Sequence, residues 1–212
     1  EIVEVGPRDG FQPIGPFIPT TQKLAFVNGA AEAGLRRIEI GSFVSARAIP
    51  QLADTPELLK RIAAEERLLP QVLVPTFRRG VEALAAGAPM IAFVLSVSQA
   101  HNRNNVRQSP LESADAYGEL MQATPADIPV RLNLATSMDC PFDGRVQPDD
   151  VLALLERLHA RKTGALLRAS VRLGALAAIG PAAVTLALAE GLGAHAGSIQ
   201  ARLDSLNEGQ TP

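Results

Sequence analysis

Five short apolar runs, each followed by a turn and then by a helical stretch, constrain this chain more than any other feature of its 212 residues. The runs are Ile2 to Val5, Arg36 to Ile40, Gln71 to Val74, Met90 to Ser96 and Val130 to Ala135. The helical stretches that follow are Thr21 to Ala33, Pro56 to Ala64, Arg78 to Ala86, Leu111 to Ala123 and Pro148 to His159. In the first of these, Leu24, Val27 and Ala31 share a face and Gly34 is the stop signal. The repeat is about thirty residues, the size of a βαβ unit. Strands such as IAFVLSV are apolar on both faces, as a parallel strand covered on both sides requires.

Such alternation predicts a parallel sheet, either doubly wound or closed into a barrel. A doubly wound nucleotide-binding sheet carries a glycine-rich phosphate loop after its first strand. Here that loop reads GPRDGFQPIGP and has neither G-x-G-x-x-G nor G-x-x-x-x-G-K-[ST]. Polar residues instead gather at the carboxyl ends of several strands: Arg8 and Asp9, then Glu39 and Ser42, then Ser96 to His101. That distribution is typical of a (β/α)8 TIM barrel, which is the α/β fold expected here. Eight units need about 250 residues, so the expectation is an incomplete barrel of about five units. The division expected is a partial barrel over 1–159 and an atypical helical tail over 160–212.

The composition narrows the function. A net charge of -2 argues against nucleic-acid binding through bulk charge. One cysteine, Cys140, excludes a disulfide framework and a cysteine-rich zinc site. No apolar run reaches the roughly 18 residues of a membrane span, and no signal peptide is visible, although the chain opens on Glu1. A soluble protein of a reducing compartment, the cytoplasm, is expected.

The candidate chemistry starts at Arg8 and Asp9. The carboxylate suits a hard divalent cation, and the guanidinium suits an enolate or a carboxylate substrate. The same pair also reads as a local salt bridge. Glu39, between isoleucines in IEIGS, faces either the interior or solvent. Inward it needs a partner, because an unpaired buried charge is costly, and Arg8 on the adjacent strand is the natural one. Ser96, Ser98, Gln99, His101, Asn102, Asn104 and Asn105 form a polar run that reads as a ligand loop or as a hydrogen-bonded loop with a helix cap. Cys140 reads as a small buried hydrophobe with nothing adjacent to lower its pKa. There is no H-x-H, H-E-x-x-H or C-x-x-C in the chain.

The segments EVGPRDGFQ, IEIGSFVSARAIPQLADT, FVLSVSQAHNRNNVRQS and NLATSMDCPFDGRV resemble, in order and spacing, the hydroxymethylglutaryl-CoA lyase family. GPRDG-x-Q alone is similar to the wider group of metal-dependent Claisen-type enzymes, including the isopropylmalate and homocitrate synthases. The SFVS and CPFDG segments point to the lyase branch. The resemblance covers residues 2 to about 158. It implies a TIM barrel, a divalent cation (magnesium or manganese), an acyl-CoA substrate, cleavage to acetyl-CoA and a keto acid such as acetoacetate, and a place in leucine degradation. It further implies that Arg8 stabilises the acetyl-CoA enolate, that Asp9 is a metal ligand, and that Glu39 lines the substrate pocket as a catalytic group. Gln12, Ser42, Ser96, His101 and Asn105 would then lie at the substrate-binding mouth.

The chain departs from the family pattern in several places. The H-x-H pair, the later asparagine and the glycine-rich loop with a reactive cysteine are absent, and Gln99 replaces a usual glutamate. From about Ala160 the sequence is rich in Ala, Leu, Gly and Arg, and all eight aromatics lie between Phe11 and Phe142. The tail reads as two helices, Ala182 to Glu190 and Ser198 to Leu206, after an optional strand Leu166 to Leu173. It also reads as a truncated or out-of-frame segment. Three functional expectations follow: an active lyase, a catalytically incomplete chain that binds acyl-CoA or a partner, and a condensing synthase. A five-stranded partial barrel has two open edges, which predicts homo-oligomers.

Overall fold

The computed structural model describes residues 2–63 and 65–159, which fall within a compact unit spanning Glu1–Lys162. The expected strand and helices of the tail lie outside these residues.

Five strands form one parallel sheet: β1 (Val3–Glu4), β2 (Arg37–Ser42), β3 (Leu69–Val74), β4 (Ile91–Ser96) and β5 (Val130–Ala135). Between them run α1 (Thr20–Glu32), α2 (Thr55–Ile62), α3 (Phe77–Ala85), α4 (Gln99–Val106) and α5 (Pro110–Ala123). A sixth helix, α6, begins at residue 148 and is described to residue 159. A two-stranded hairpin, β6 (Asp139–Cys140) and β7 (Gly144–Arg145), precedes it.

The strand order is β1-β2-β3-β4-β5, with every neighbour parallel. This order settles the choice the sequence left open. A doubly wound sheet reverses its order at a switch point, whereas right-handed crossovers between strands in unbroken succession place all helices on one face. That is the geometry of half a TIM barrel, with β1 and β5 as the outer strands among the described residues.

Period-two alternation divides the two faces. Ile38, Ile40, Val72, Val74 and Phe93 are fully buried in the core with Leu58, Ala83 and Leu120 from the helices. The Phe93 and Tyr117 rings pack 5.6 Å apart. Glu39 and Gln71 occupy the alternate positions and lie side by side in register. Helix starts follow from local chemistry. Thr76 and Ser98 cap α3 and α4, and Ser109 and Glu112 form a capping box on α5 with Pro110 at its first turn. Gly34, at φ +90°, follows the end of α1, where a left-handed backbone excludes most side chains.

One irregularity shapes the site. The β2–β3 register shifts between Glu39 and Gly41, a bulge in which Ile40 is the extra residue. Residues three apart on a regular strand face opposite sides, and the extra residue changes the phase. Glu39 thus reaches Arg8, and Ser42 lines the cavity that Arg8 also lines. Gly41 is required because α2 approaches closely: a Cβ there would clash with Thr55 Oγ1. Thr55 is buried, donates to the Leu52 carbonyl at 2.8 Å and accepts the Ser42 N–H at 3.2 Å. Gly41→Ala is therefore expected to destabilise the protein by about 2 kcal/mol through overpacking, measured by urea unfolding.

Candidate functional site

The GPRDG segment closes into a single π-helical turn, Gly6–Gly10, directly after β1. Pro7 is buried, and the Val5 carbonyl accepts the N–H groups of Arg8 at 3.1 Å and Asp9 at 2.7 Å. Isolated π-turns are rare and concentrate at functional sites. This one directs Arg8 across to β2, where its Nε donates to Glu39 Oε1 at 2.6 Å. Its Nη1 donates to Asp9 Oδ1, also at 2.6 Å. Glu39 is therefore an inward carboxylate, and Arg8 is its partner. Its side chain is 1% exposed, so the charge is viable only because both oxygens are engaged. Gln71 Nε2 donates to the second oxygen at 2.6 Å. The result is a chain from β3 through β2 to the first turn that fixes the guanidinium at the carboxyl end of the sheet.

Arg8, Gln12, Ser42 and Asn105 line one cavity of about 530 Å³. Ser42 is 2% exposed, and its Oγ has no hydrogen-bond partner among the described residues. A buried hydroxyl that lines a cavity without a partner is suited to a ligand atom. Gln12 also lines an adjacent cavity of about 610 Å³ with Asp9, Ile14, Phe17 and Gln51.

Ser96 and His101 are placed differently. They are joined to each other, Ser96 Oγ to His101 Nδ1 at 2.7 Å, and neither lines the Arg8 cavity. The polar run that contains them is a helix, α4, through most of its length. Its anchor is Asn102, fully buried, which accepts the Ser96 N–H at 2.8 Å and donates to the Gln108 carbonyl and Ser113 Oγ. The sequence assigns no role to Gln71, Arg79, Arg107 or Asn133, and it places Asn102 only within the polar run. Gln71 and Asn133, as polar residues inside apolar strands, carry a weak signal of an inner face, while Arg79 and Arg107 carry none.

The reading of Cys140 as inert needs correction. It is buried, but Sγ lies 3.0 Å from Ser98 Oγ, which in turn donates to Asp143 Oδ2 at 2.6 Å. The N–H groups of Phe142 and Asp143 also point at the sulfur, each at 3.4 Å. Burial pushes the thiol up, but the Ser98 hydroxyl and the two N–H groups outweigh it and leave its pKa lowered. These partners come from the α4 cap and the β6–β7 turn, and the Ser98 contact spans 42 positions of sequence.

Asp9 offers one carboxylate, held against Arg8. Among the described residues no group of three or more His, Cys, Asp or Glu is placed to hold a metal ion. The described residues therefore do not make a complete cation site. Nor is any helix among them long and apolar enough to cross a membrane.

A half TIM barrel with a fixed guanidinium and an arginine-lined cavity at the carboxyl ends of its strands has the arrangement in which barrels of this class carry their sites. The chain belongs to the HMGL-like family, whose model it matches over residues 1–196. It is 36% identical over 160 residues to the cytoplasmic 3-hydroxy-3-methylglutaryl-CoA lyase of Mus musculus, covering 75% of this chain and 47% of that protein. It is 37% identical over 161 residues to the mitochondrial hydroxymethylglutaryl-CoA lyase of Mus musculus, covering 76% of this chain and 50% of that one. Among solved structures, an HMG-CoA lyase from Acenitobacter baumannii in complex with coenzyme A and 3-methylmalate matches with TM-score 0.71 and 33% identity, over 75% of this chain and 52% of that one. The enzyme from Brucella melitensis matches with TM-score 0.70 and 34% identity, over 76% and 57%. The chain thus spans about half the length of the curated relatives it matches.

Proposed function

We propose that this protein is a carbon–carbon lyase of the hydroxymethylglutaryl-CoA lyase type, acting on a 3-hydroxy-3-methylglutaryl-CoA-like thioester. The observation that carries this reading is the Arg8–Glu39–Gln71 chain, which fixes a guanidinium that lines a cavity, in a member of this family. In retro-Claisen cleavage a base takes the proton of the tertiary hydroxyl. The bond to the acetyl-CoA methylene carbon breaks, and its electron pair becomes the acetyl-CoA enolate. The other fragment leaves as acetoacetate, and protonation of the enolate carbon by the conjugate acid of that base gives acetyl-CoA. Arg8 is the group that meets the enolate oxygen, and a guanidinium already fixed by Glu39 needs no reorganisation as charge develops. Ser42, Gln12 and Asn105 contact the substrate from the cavity wall. Ser96 and His101 support the loop and helix that carry Asn105. Asp9 is the ligand that residues 2–159 contribute to a magnesium or manganese ion, which supplies chelation of the substrate oxygens when bound. The coenzyme A of the solved relative supports an acyl-CoA as the ligand class. A cytoplasmic location, and barrel completion by self-association at the outer strands, belong to the same reading.

The test is release of acetyl-CoA from 3-hydroxy-3-methylglutaryl-CoA with added magnesium or manganese. Turnover supports the lyase. Coenzyme A binding without turnover identifies a binding-only chain, and condensation of acetyl-CoA with a keto acid identifies a synthase.

A further inference from the structure

The Arg8 cavity is lined by three guanidinium-bearing residues, Arg8, Arg79 and Arg107, and by no carboxylate. Two of the three charges are already engaged. Arg8 is held by Glu39 and Asp9. Arg79 is paired with Glu82 at 2.5 Å, and it holds that carboxyl below the usual range despite the opposing effect of burial. Arg107 forms no ion pair among the described residues, and its side chain is exposed. Its backbone is also unusual. It sits at the C-cap of α4 with φ +63°, a left-handed conformation that suits glycine or asparagine and crowds the Cβ of an arginine. A residue kept in a disfavoured conformation beside a cavity marks a place to look for function. Asn105 and Asn133 add amide groups to the same wall.

We infer that Arg107 is the oxyanion-binding residue of this cavity, holding a phosphate or carboxylate group of the bound ligand beside the fixed Arg8. A planar guanidinium presents paired donors that match either group, and an unneutralised one gains most from an incoming anion. The inference deepens the acyl-CoA reading, which offers two sources of the anion: the phosphates of coenzyme A and the carboxylate of the acyl group. It does not depend on turnover.

The test is calorimetric titration at low salt with inorganic pyrophosphate, coenzyme A, dephospho-coenzyme A and 3-methylmalate. The proteins compared are the unaltered chain, Arg107→Asn and Arg107→Lys. Asparagine suits the left-handed backbone, so any loss reports the missing charge rather than a damaged cap. Thermal unfolding of each variant reads the capping role separately. We expect Arg107→Asn to weaken the anion it contacts by about tenfold or more, with partial recovery in Arg107→Lys. A loss confined to coenzyme A and pyrophosphate assigns a phosphate, while a loss confined to 3-methylmalate assigns the acyl carboxylate. Arg107-dependent pyrophosphate binding without coenzyme A binding would keep the anion site and reject the acyl-CoA reading. Equal affinities in unaltered protein and Arg107→Asn, or no binding of any probe, would overturn the inference.

Discussion

In the proposed lyase reaction, Arg8→Ala is expected to lower acetyl-CoA release by a factor of about 10²–10³ at saturating substrate, with a much smaller change in KM. The size is that of removing one preorganised donor from a developing oxyanion. The split between kcat and KM follows because an enolate exists only after the bond has begun to break, so the lost interaction belongs to the transition state. The same substitution also strips Glu39 of its charged partner at 2.6 Å, in a position 1% exposed. An uncompensated buried carboxylate is destabilising, so the variant must be shown to be folded before its rate is read. Arg8→Lys separates the two effects. An ammonium can neutralise Glu39, but it lacks the fork that engages Glu39 and Asp9 together. Stability close to that of the unaltered protein with activity still depressed is the expected result for Arg8→Lys. Activity retained in Arg8→Ala would remove the guanidinium from the mechanism and reduce Arg8 to a salt-bridge residue.

Asp54→Ala is expected to destabilise the fold by about 3 kcal/mol or more, measured by chemical denaturation. Lys23 is wholly buried, and its ammonium is satisfied by Asp54 Oδ1 at 2.6 Å, by the Gln51 carbonyl and by the Phe17 ring at 4.4 Å. Removing the carboxylate leaves a buried cation without its counter-charge, the costly half of a buried ion pair. It also removes the acceptor of the Thr20 hydroxyl at the start of α1. Lys23→Met is expected to cost less, because Asp54 keeps the Thr20 hydroxyl and is 12% exposed. The pair also bears on the site. Gln51 binds the Ile14 and Pro16 carbonyls and the Ile18 N–H, and so fastens the segment that walls the cavity of Asp9 and Gln12. An Asp54→Ala protein that stays folded should therefore show a raised KM for the proposed acyl-CoA substrate. Equal stabilities of the two variants would show that Lys23 is not held chiefly by charge.

Much of the fold was legible without coordinates because its signals are local. Val130 to Ala135 coincides with β5, and the expected helix boundaries are within one or two residues of those of α1, α2, α3 and α5. Caps, prolines and period-two runs act over a few residues, so a single sequence displays them. The polar run from Ser98 was harder. Three asparagines and a histidine are poor helix formers, and α4 stands because Ser98 caps it and the buried Asn102 ties it to Ser96 and Ser113. Cys140 was misjudged for a related reason: its nearest hydroxyl lies on a different element.

By itself the sequence determined a chain of parallel strand–helix units, an Arg8–Asp9 turn after the first strand, and the family to which these segments belong. Tertiary structure decided which of the marked residues meet. Strand order made the sheet half a barrel, and Arg8 proved to be the partner that makes an inward Glu39 viable. The Ile40 bulge, which period-two alternation cannot reveal, carried Ser42 to the cavity. Long-range pairing also separated Ser96 and His101 from the cavity that gathers Arg8, Gln12, Ser42 and Asn105. The physical reason is that helix and strand propensities act between near neighbours. Burial of charge, register shifts and cavity lining depend on which distant side chains share one low-dielectric space.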